Sequence, residues 1–96
     1  MNIKKLSVSE RETILLQNLG ANIKIDRMRG ELSADDLGKA LKVGRQAVWL
    51  MEEGSASVDI HLYFKALFFL GFEKDFIRYL LWDERKFLRI LKEFYW

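Results

Sequence analysis

Glycine residues separate the stretches of this chain in which apolar side chains recur every three or four positions, and no proline interrupts them. The sequence has no apolar–polar alternation of the kind that a half-buried strand shows. We therefore predict an all-α fold. Four glycines mark the predicted helix boundaries: Gly30, Gly44, Gly54 and Gly71.

The first predicted helix spans about residues 9–29. Ser9 and Glu12 have the spacing of a capping box at its start. Apolar residues then recur at intervals of four or five: Leu15, Leu19, Ile23 and Met28. We expect this face to pack against the rest of the domain.

Two short helices are predicted next, over about residues 34–41 and between Gly44 and Gly54. Ser33 is a suitable N-cap for the first of them. Each helix carries its apolar residues on one face: Leu37 and Leu41 in the first, Val48 and Met51 in the second. Gly38 would allow the two helices to approach each other closely.

The second half of the chain is rich in aromatic residues, and Trp49 is the only one before Tyr63. Asp59 can cap a fourth helix over about residues 60–70. The apolar residues of this helix occur nearly all round it, so we expect neighbours to cover it on most sides.

Two amphipathic stretches follow, with a break predicted near Asp83. The sequence thus predicts a bundle of five or six helices in one domain, residues 1–96. Within this domain, residues 73–96 form an aromatic-rich helical extension.

The composition excludes several classes of site. The 96 residues include no cysteine, so disulfides, thiolate metal sites and a cysteine nucleophile are excluded. The single histidine, His61, has no metal-ligating partner at suitable spacing, and no catalytic constellation or phosphate-binding glycine loop is evident. We expect neither an enzyme nor a metal or cofactor. The chain has no signal-peptide pattern and no uncharged stretch of membrane-spanning length, so we expect a cytoplasmic protein without a membrane partner.

Residues 32–54, LSADDLGKALKVGRQAVWLMEEG, place a second short helix after a tight turn. This stretch resembles the helix-turn-helix of the Xre family of phage-repressor and Cro-like regulators, and the resemblance extends over about residues 19–72. It implies a recognition helix that enters the major groove of double-stranded DNA. It also implies a transcriptional regulator that represses by occupying its operator.

The resemblance implies a set of DNA-contacting residues: Ala34, Lys42, Gly44, Arg45, Gln46, Leu50 and Ser55. Arg45 can donate two hydrogen bonds to guanine, Gln46 can pair with adenine, and Leu50 can contact a thymine methyl group. Backbone amides near Ala34 and Ser55 would bind phosphates. The alternative is that the Arg-Gln pair belongs to a solvated surface.

Three of these positions depart from the typical family pattern. Lys42 replaces a turn glycine and must adopt an unusual backbone angle, at an expected cost of about 1 kcal/mol. Gly44 replaces a serine cap, and Ala34 replaces a frequent glutamine. The resemblance also aligns Arg27 with an arginine that pairs with a glutamate, here Glu52, so we predict a structural ion pair.

Trp49 has two interpretations. Its ring can stack on a sugar or base, or it can cover a neighbouring helix. The second is favoured, because tryptophan more often contributes packing area.

The last amphipathic stretch carries one apolar stripe: Phe87, Leu88, Leu91, Phe94 and Tyr95. Because the chain has more apolar surface than a small core is expected to bury, we predict that this stripe forms a homodimer interface. Burial within the subunit is the alternative. The region after the recognition helix is also similar to small Xre antitoxins that accompany HipA-like kinase toxins. A second candidate function is therefore an antitoxin that neutralises a partner toxin and autoregulates its operon.

Overall fold

The computed structural model describes residues 5–72, 74 and 84–94, and in this part of the chain it contains helices and no strand. The helices are α1 (Val8–Arg29), α2 (Ala34–Leu41), α3 (Arg45–Glu52), α4 (Ile60–Phe69) and α5 (Glu84–Phe94). The predicted all-α class is confirmed. The break predicted near Asp83 lies outside the described residues. No helix in the described ranges is long and apolar enough to cross a membrane.

The start of α1 lies before the predicted position. Ser7 caps the helix: its hydroxyl accepts from the amide of Glu10 at 3.1 Å, and its own amide donates to the Glu10 carboxylate at 3.4 Å. The prediction of Ser9 with Glu12 was therefore wrong. Both pairs have the same spacing, and the sequence pattern does not distinguish between them.

The packed face of α1 is also rotated from the predicted one. Leu15 and Met28 are 61% and 59% exposed, whereas Ile23 is buried together with Gly20 and Arg27. The apolar pattern misplaced this face because a glycine and an arginine occupy two of its central positions. Both residues are buried against the C-terminal end of α3.

The core lies where α2, α3 and α4 meet α1. Its buried members are Ile23, Leu37, Leu41, Val48, Met51, Leu62, Tyr63, Ala66 and Leu67. The expected inward faces of α2 and α3 are confirmed, because every apolar residue predicted for them is in this cluster.

Gly20 allows α1 and α3 to approach each other closely. A Cβ at this position would overlap the backbone carbonyl oxygens of Met51 and Glu52. Residues 51 and 52 form the end of α3, so even alanine at position 20 would push the two helices apart.

The expectation that neighbours cover α4 on most sides is wrong for the described residues. Ile60, Phe68 and Phe69 each leave about half of their surface exposed, while Leu62 and Tyr63 are buried. The helix packs on α1 and α2, which cover only one of its sides. An apolar surface remains on the other.

Two side chains of the stripe on α5 are described, and they differ in exposure. Leu88 is 51% exposed and Leu91 is 9% exposed. The side chains of Phe87 and Phe94, and the whole of Tyr95, lie outside the described part of the chain.

Candidate nucleic-acid interface

A turn of three residues, Lys42 to Gly44, joins α2 to α3. Lys42 has the left-handed backbone conformation that its place in the turn predicts, with φ 61°. The amide of Val43 donates to the carbonyl of Gly38 at 2.8 Å. A Cβ on Gly38 would lie 2.7 Å from the Val43 carbonyl oxygen. The turn is therefore tight, and it fixes the direction in which α3 leaves α2.

The N-terminus of α2 has a complete capping box. The Ser33 hydroxyl accepts from the Asp36 amide, and the Asp36 carboxylate accepts from the Ser33 amide, both at 3.0 Å. The hydrogen bond that the Ser33 backbone amide donates to the carboxylate is the main interaction that holds the pKa of Asp36 below its ordinary value. Asp35, in the same turn, adds a second exposed carboxylate. A phosphate that approached Ala34, the first residue of α2, would meet both negative charges.

One side of α3 is fully buried and the other is exposed. Val48 and Met51 are 0% exposed and anchor the helix in the core. The exposed residues of the helix are Arg45, Gln46, Trp49 and Leu50. An α-helix with its side chains is about 10–12 Å in diameter, so α3 is of a size that the DNA major groove, about 12 Å wide, admits.

Arg45 and Trp49 contact each other on this exposed face. The guanidinium carbon of Arg45 lies 5.6 Å from the centroid of the Trp49 ring, which is within the range of a cation–π interaction. Trp49 is 48% exposed. Trp49 therefore lies on the exposed face and outside the core, and the structure does not bear out the favoured interpretation that it covers a neighbouring helix. Its position one turn after Arg45 turns the indole away from the side of α3 that carries Val48 and Met51.

The end of α3 is fixed to α1 by the predicted ion pair. The Nε and Nη2 atoms of Arg27 donate to the two carboxylate oxygens of Glu52 at 2.6 and 3.1 Å. The Nη1 atom of Arg27 donates to the carbonyl of Leu32 at 2.7 Å, so the same side chain also holds the segment before α2. The hydrogen bonds with Glu52 raise the pKa of Arg27 above its ordinary value. The pair is buried, as a structural role requires.

The loop after α3 uses its polar groups internally. The amide of Ser55 donates to the carbonyl of Leu50 at 3.0 Å, so that amide is not available to a phosphate in this structure. The hydroxyl of the buried Tyr63 donates to the Ser55 carbonyl at 2.9 Å, and burial raises the pKa of Tyr63. The Ser55 hydroxyl lies 2.6 Å from that of Ser57. A phosphate contact by Ser55 would have to use this exposed hydroxyl pair.

The structure groups most of the predicted DNA-contacting residues on the turn and on the exposed side of α3: Lys42, Gly44, Arg45, Gln46 and Leu50. Ala34 and Ser55 belong instead to the start of α2 and to the loop after α3. Trp49 also lies on this surface, where the less favoured of its two interpretations placed it. The spacing of four residues from Arg45 was the signal that could have placed it there.

The described residues include no cluster of histidine and acidic side chains that could hold a metal ion. Comparisons of the chain with protein-family models, with curated proteins and with solved structures found no match.

Proposed function

We propose that this protein binds double-stranded DNA sequence-specifically through α3 and acts as a homodimeric transcriptional repressor. One observation carries the proposal: α3 exposes Arg45 and Gln46 at its N-terminal end, while Val48 and Met51 hold its other side in the core. A short helix that is rigidly held, follows a tight turn and presents polar side chains near its start is suited to reading a major groove. The resemblance of residues 32–54 to the Xre helix-turn-helix supports the same role.

The exposed side chains supply the chemistry for base recognition. The guanidinium of Arg45 can donate to O6 and N7 of guanine, and the amide of Gln46 can pair with the N6 and N7 atoms of adenine. Leu50, at 43% exposure, can contact the methyl group of thymine. Lys42, exposed in the turn before α3, can contact a phosphate.

The charges near this surface favour specificity over general affinity for DNA. Asp35 and Asp36 at the start of α2, and Glu53 after α3, are exposed carboxylates that repel phosphates. Two half-sites bound together would compensate for a weak phosphate contact. We propose that a homodimer binds the two half-sites, with its recognition helices about one DNA turn, roughly 34 Å, apart. The exposed Leu88 on α5 supports this part of the proposal.

Selection of bound fragments from a pool of random duplexes tests the function. The expected result is an enriched palindrome whose half-site centres are separated by about one helical turn. A variant with both Arg45→Ala and Gln46→Ala is the control, and it should enrich no site. If the unmodified protein enriches no sequence, the proposal is wrong.

A second candidate function is an antitoxin that binds and neutralises a partner toxin. The observation that favours it is the apolar surface on α4, where Ile60, Phe68 and Phe69 are about half exposed. The test is co-expression with the product of the adjacent gene. A stable complex that Phe68→Glu and Phe69→Glu abolish, without change in DNA selection, would support this function.

A further inference from the structure

We infer that Trp49 is a specificity-determining residue of the proposed DNA interface. It holds the Arg45 guanidinium against its ring, and together with Leu50 it presents apolar surface to thymine methyl groups. This inference rests on the proposed function.

Arg45 and Trp49 contact each other in the absence of a ligand. Arg45 is exposed at the first position of α3, where a long side chain has many rotamers. The ring of Trp49 lies 5.6 Å from its guanidinium carbon and reduces this freedom before any ligand binds. A cation–π contact at an exposed site is equivalent to about a two- to fivefold change in an equilibrium constant. Pre-ordering of the Arg45 side chain should therefore contribute to the binding affinity and to the preference for one base.

The exposed face of α3 has a polar half and an apolar half. Residues four positions apart are neighbours on a helix, so Arg45 lies beside Trp49 and Gln46 lies beside Leu50. The N-terminal half of α3 thus presents hydrogen-bonding groups, and its C-terminal half presents two apolar side chains, 48% and 43% exposed. In the major groove the thymine C5-methyl group is the apolar feature of the base edges. The target should therefore combine a guanine with neighbouring thymines.

Trp49 does not pack against the core. Val48 and Met51 fill the core side of α3 completely, and Trp49 is absent from the buried cluster. Its removal should leave the fold unchanged. The effect of a substitution should then appear in base preference and not in the melting temperature.

The contact with Arg45 is tested first in the free protein. The full chain has three tryptophans, and 5-fluorotryptophan labelling gives each a ¹⁹F NMR signal, with Trp49→Phe identifying the signal of Trp49. Arg45→Ala should shift this signal more than Gln46→Ala does. Equal shifts from the two variants would show that the guanidinium is not held on the ring, and they would overturn the inference.

The role in DNA binding is tested on the site enriched by selection. Trp49→Ala should weaken binding at least two- to fivefold. It should also reduce the preference for the same guanine that Arg45→Ala affects. Trp49→Phe should restore most of that preference, because it keeps an aromatic face. Ile60→Ala, which removes a similarly exposed apolar side chain from α4, is the control and should bind as the unmodified protein does.

Deoxyuridine in place of thymidine tests the methyl contact. The replacement removes only the methyl group, and at the contacted thymine it should weaken binding about fourfold, with a smaller loss for Trp49→Ala. If the protein selects a site but Trp49→Ala keeps full base preference, the inference is wrong and the proposed function stands. If no site is enriched at all, both are wrong.

Discussion

The guanidinium of Arg27, in α1, donates to both carboxylate oxygens of Glu52, the last residue of α3, and the two side chains are 10% and 4% exposed. The pair ties the C-terminal end of α3 to the longest helix described. The buried Val48 fixes the helix nearer its start. The exposed face of α3 therefore lies on a helix that is held at its C-terminal end and near its middle.

Removal of one partner of this pair should destabilise the fold. Glu52→Ala leaves the Arg27 charge buried without its carboxylate, at a cost on the order of 3 kcal/mol. The melting temperature should fall by more than about 10 °C. The double variant Arg27→Met with Glu52→Leu is the control, because it leaves no unpaired charge and should melt closer to the unmodified protein. Melting of Glu52→Ala at the original temperature would contradict the structural role of the pair.

Lys42 should affect stability and DNA binding in opposite directions. Its left-handed backbone conformation, φ 61°, is one that glycine adopts without strain, so Lys42→Gly should stabilise the protein by about 1 kcal/mol. Lys39→Gly, inside α2, removes the same charge but should destabilise by about 1 kcal/mol.

The same Lys42→Gly variant should bind DNA more weakly and lower the slope of log K against log salt by about 1. Thermal unfolding and binding at several salt concentrations measure the two effects. An unchanged salt dependence would remove Lys42 from the phosphate contacts.

Asp36 should make the stability of the protein depend on pH. Hydrogen bonds from Ser33 lower the pKa of its carboxyl in the folded state below the ordinary value of 3.8. The stabilisation is therefore complete above the unfolded-state pKa and is lost as the pH falls through the lowered folded value.

Asp36→Asn should consequently melt below the unmodified protein at pH 7, and the difference should shrink towards pH 3. Glu53→Gln, which removes an exposed carboxylate after α3, is the control and should not lower the melting temperature at pH 7. A difference for Asp36→Asn that stays constant over this range would show that the carboxylate charge is not what stabilises the start of α2.

Leu88 provides the sharpest test of the proposed dimer. It is half exposed, so Leu88→Glu should leave the fold intact, whereas a charge at the buried Leu91 would also disturb packing. Sedimentation equilibrium should give a dimer mass for the unmodified protein and for Arg89→Glu, and a monomer mass for Leu88→Glu. A dimer mass for Leu88→Glu would place the interface elsewhere. A monomer mass for the unmodified protein would exclude the proposed dimer.

The sequence predicted the helices and several of their boundaries because these depend on local chemistry. Ser33 and Asp59 accept hydrogen bonds from the following turn, and Gly44 precedes α3 as its N-cap, as their residue types indicate. Which side of a helix is packed depends on the contacts that neighbouring helices make with it. For that reason Leu15 was wrongly assigned to the core, and for Trp49 a position against a neighbouring helix was favoured over the exposed face on which it lies.

The Arg27–Glu52 pair is separated by 25 residues, and no periodicity within one helix could have identified it. It was predicted only through the resemblance to the Xre helix-turn-helix. The internal bonding of the Ser55 amide also escaped prediction, since it depends on how the chain leaves α3.

Base recognition by α3 depends most on Arg45, so Arg45→Ala is compared with the unmodified protein on the selected duplex and on duplexes changed at one base pair. The variant should lose about 1–3 kcal/mol of binding free energy on the selected site and should no longer distinguish the guanine in each half-site. Its affinity for unrelated DNA should stay nearly the same. Arg29→Ala, which removes another exposed arginine at the end of α1, should retain full discrimination. If Arg45→Ala keeps the preference for every base pair, Arg45 does not read a base, and the proposed recognition of DNA through the start of α3 is wrong.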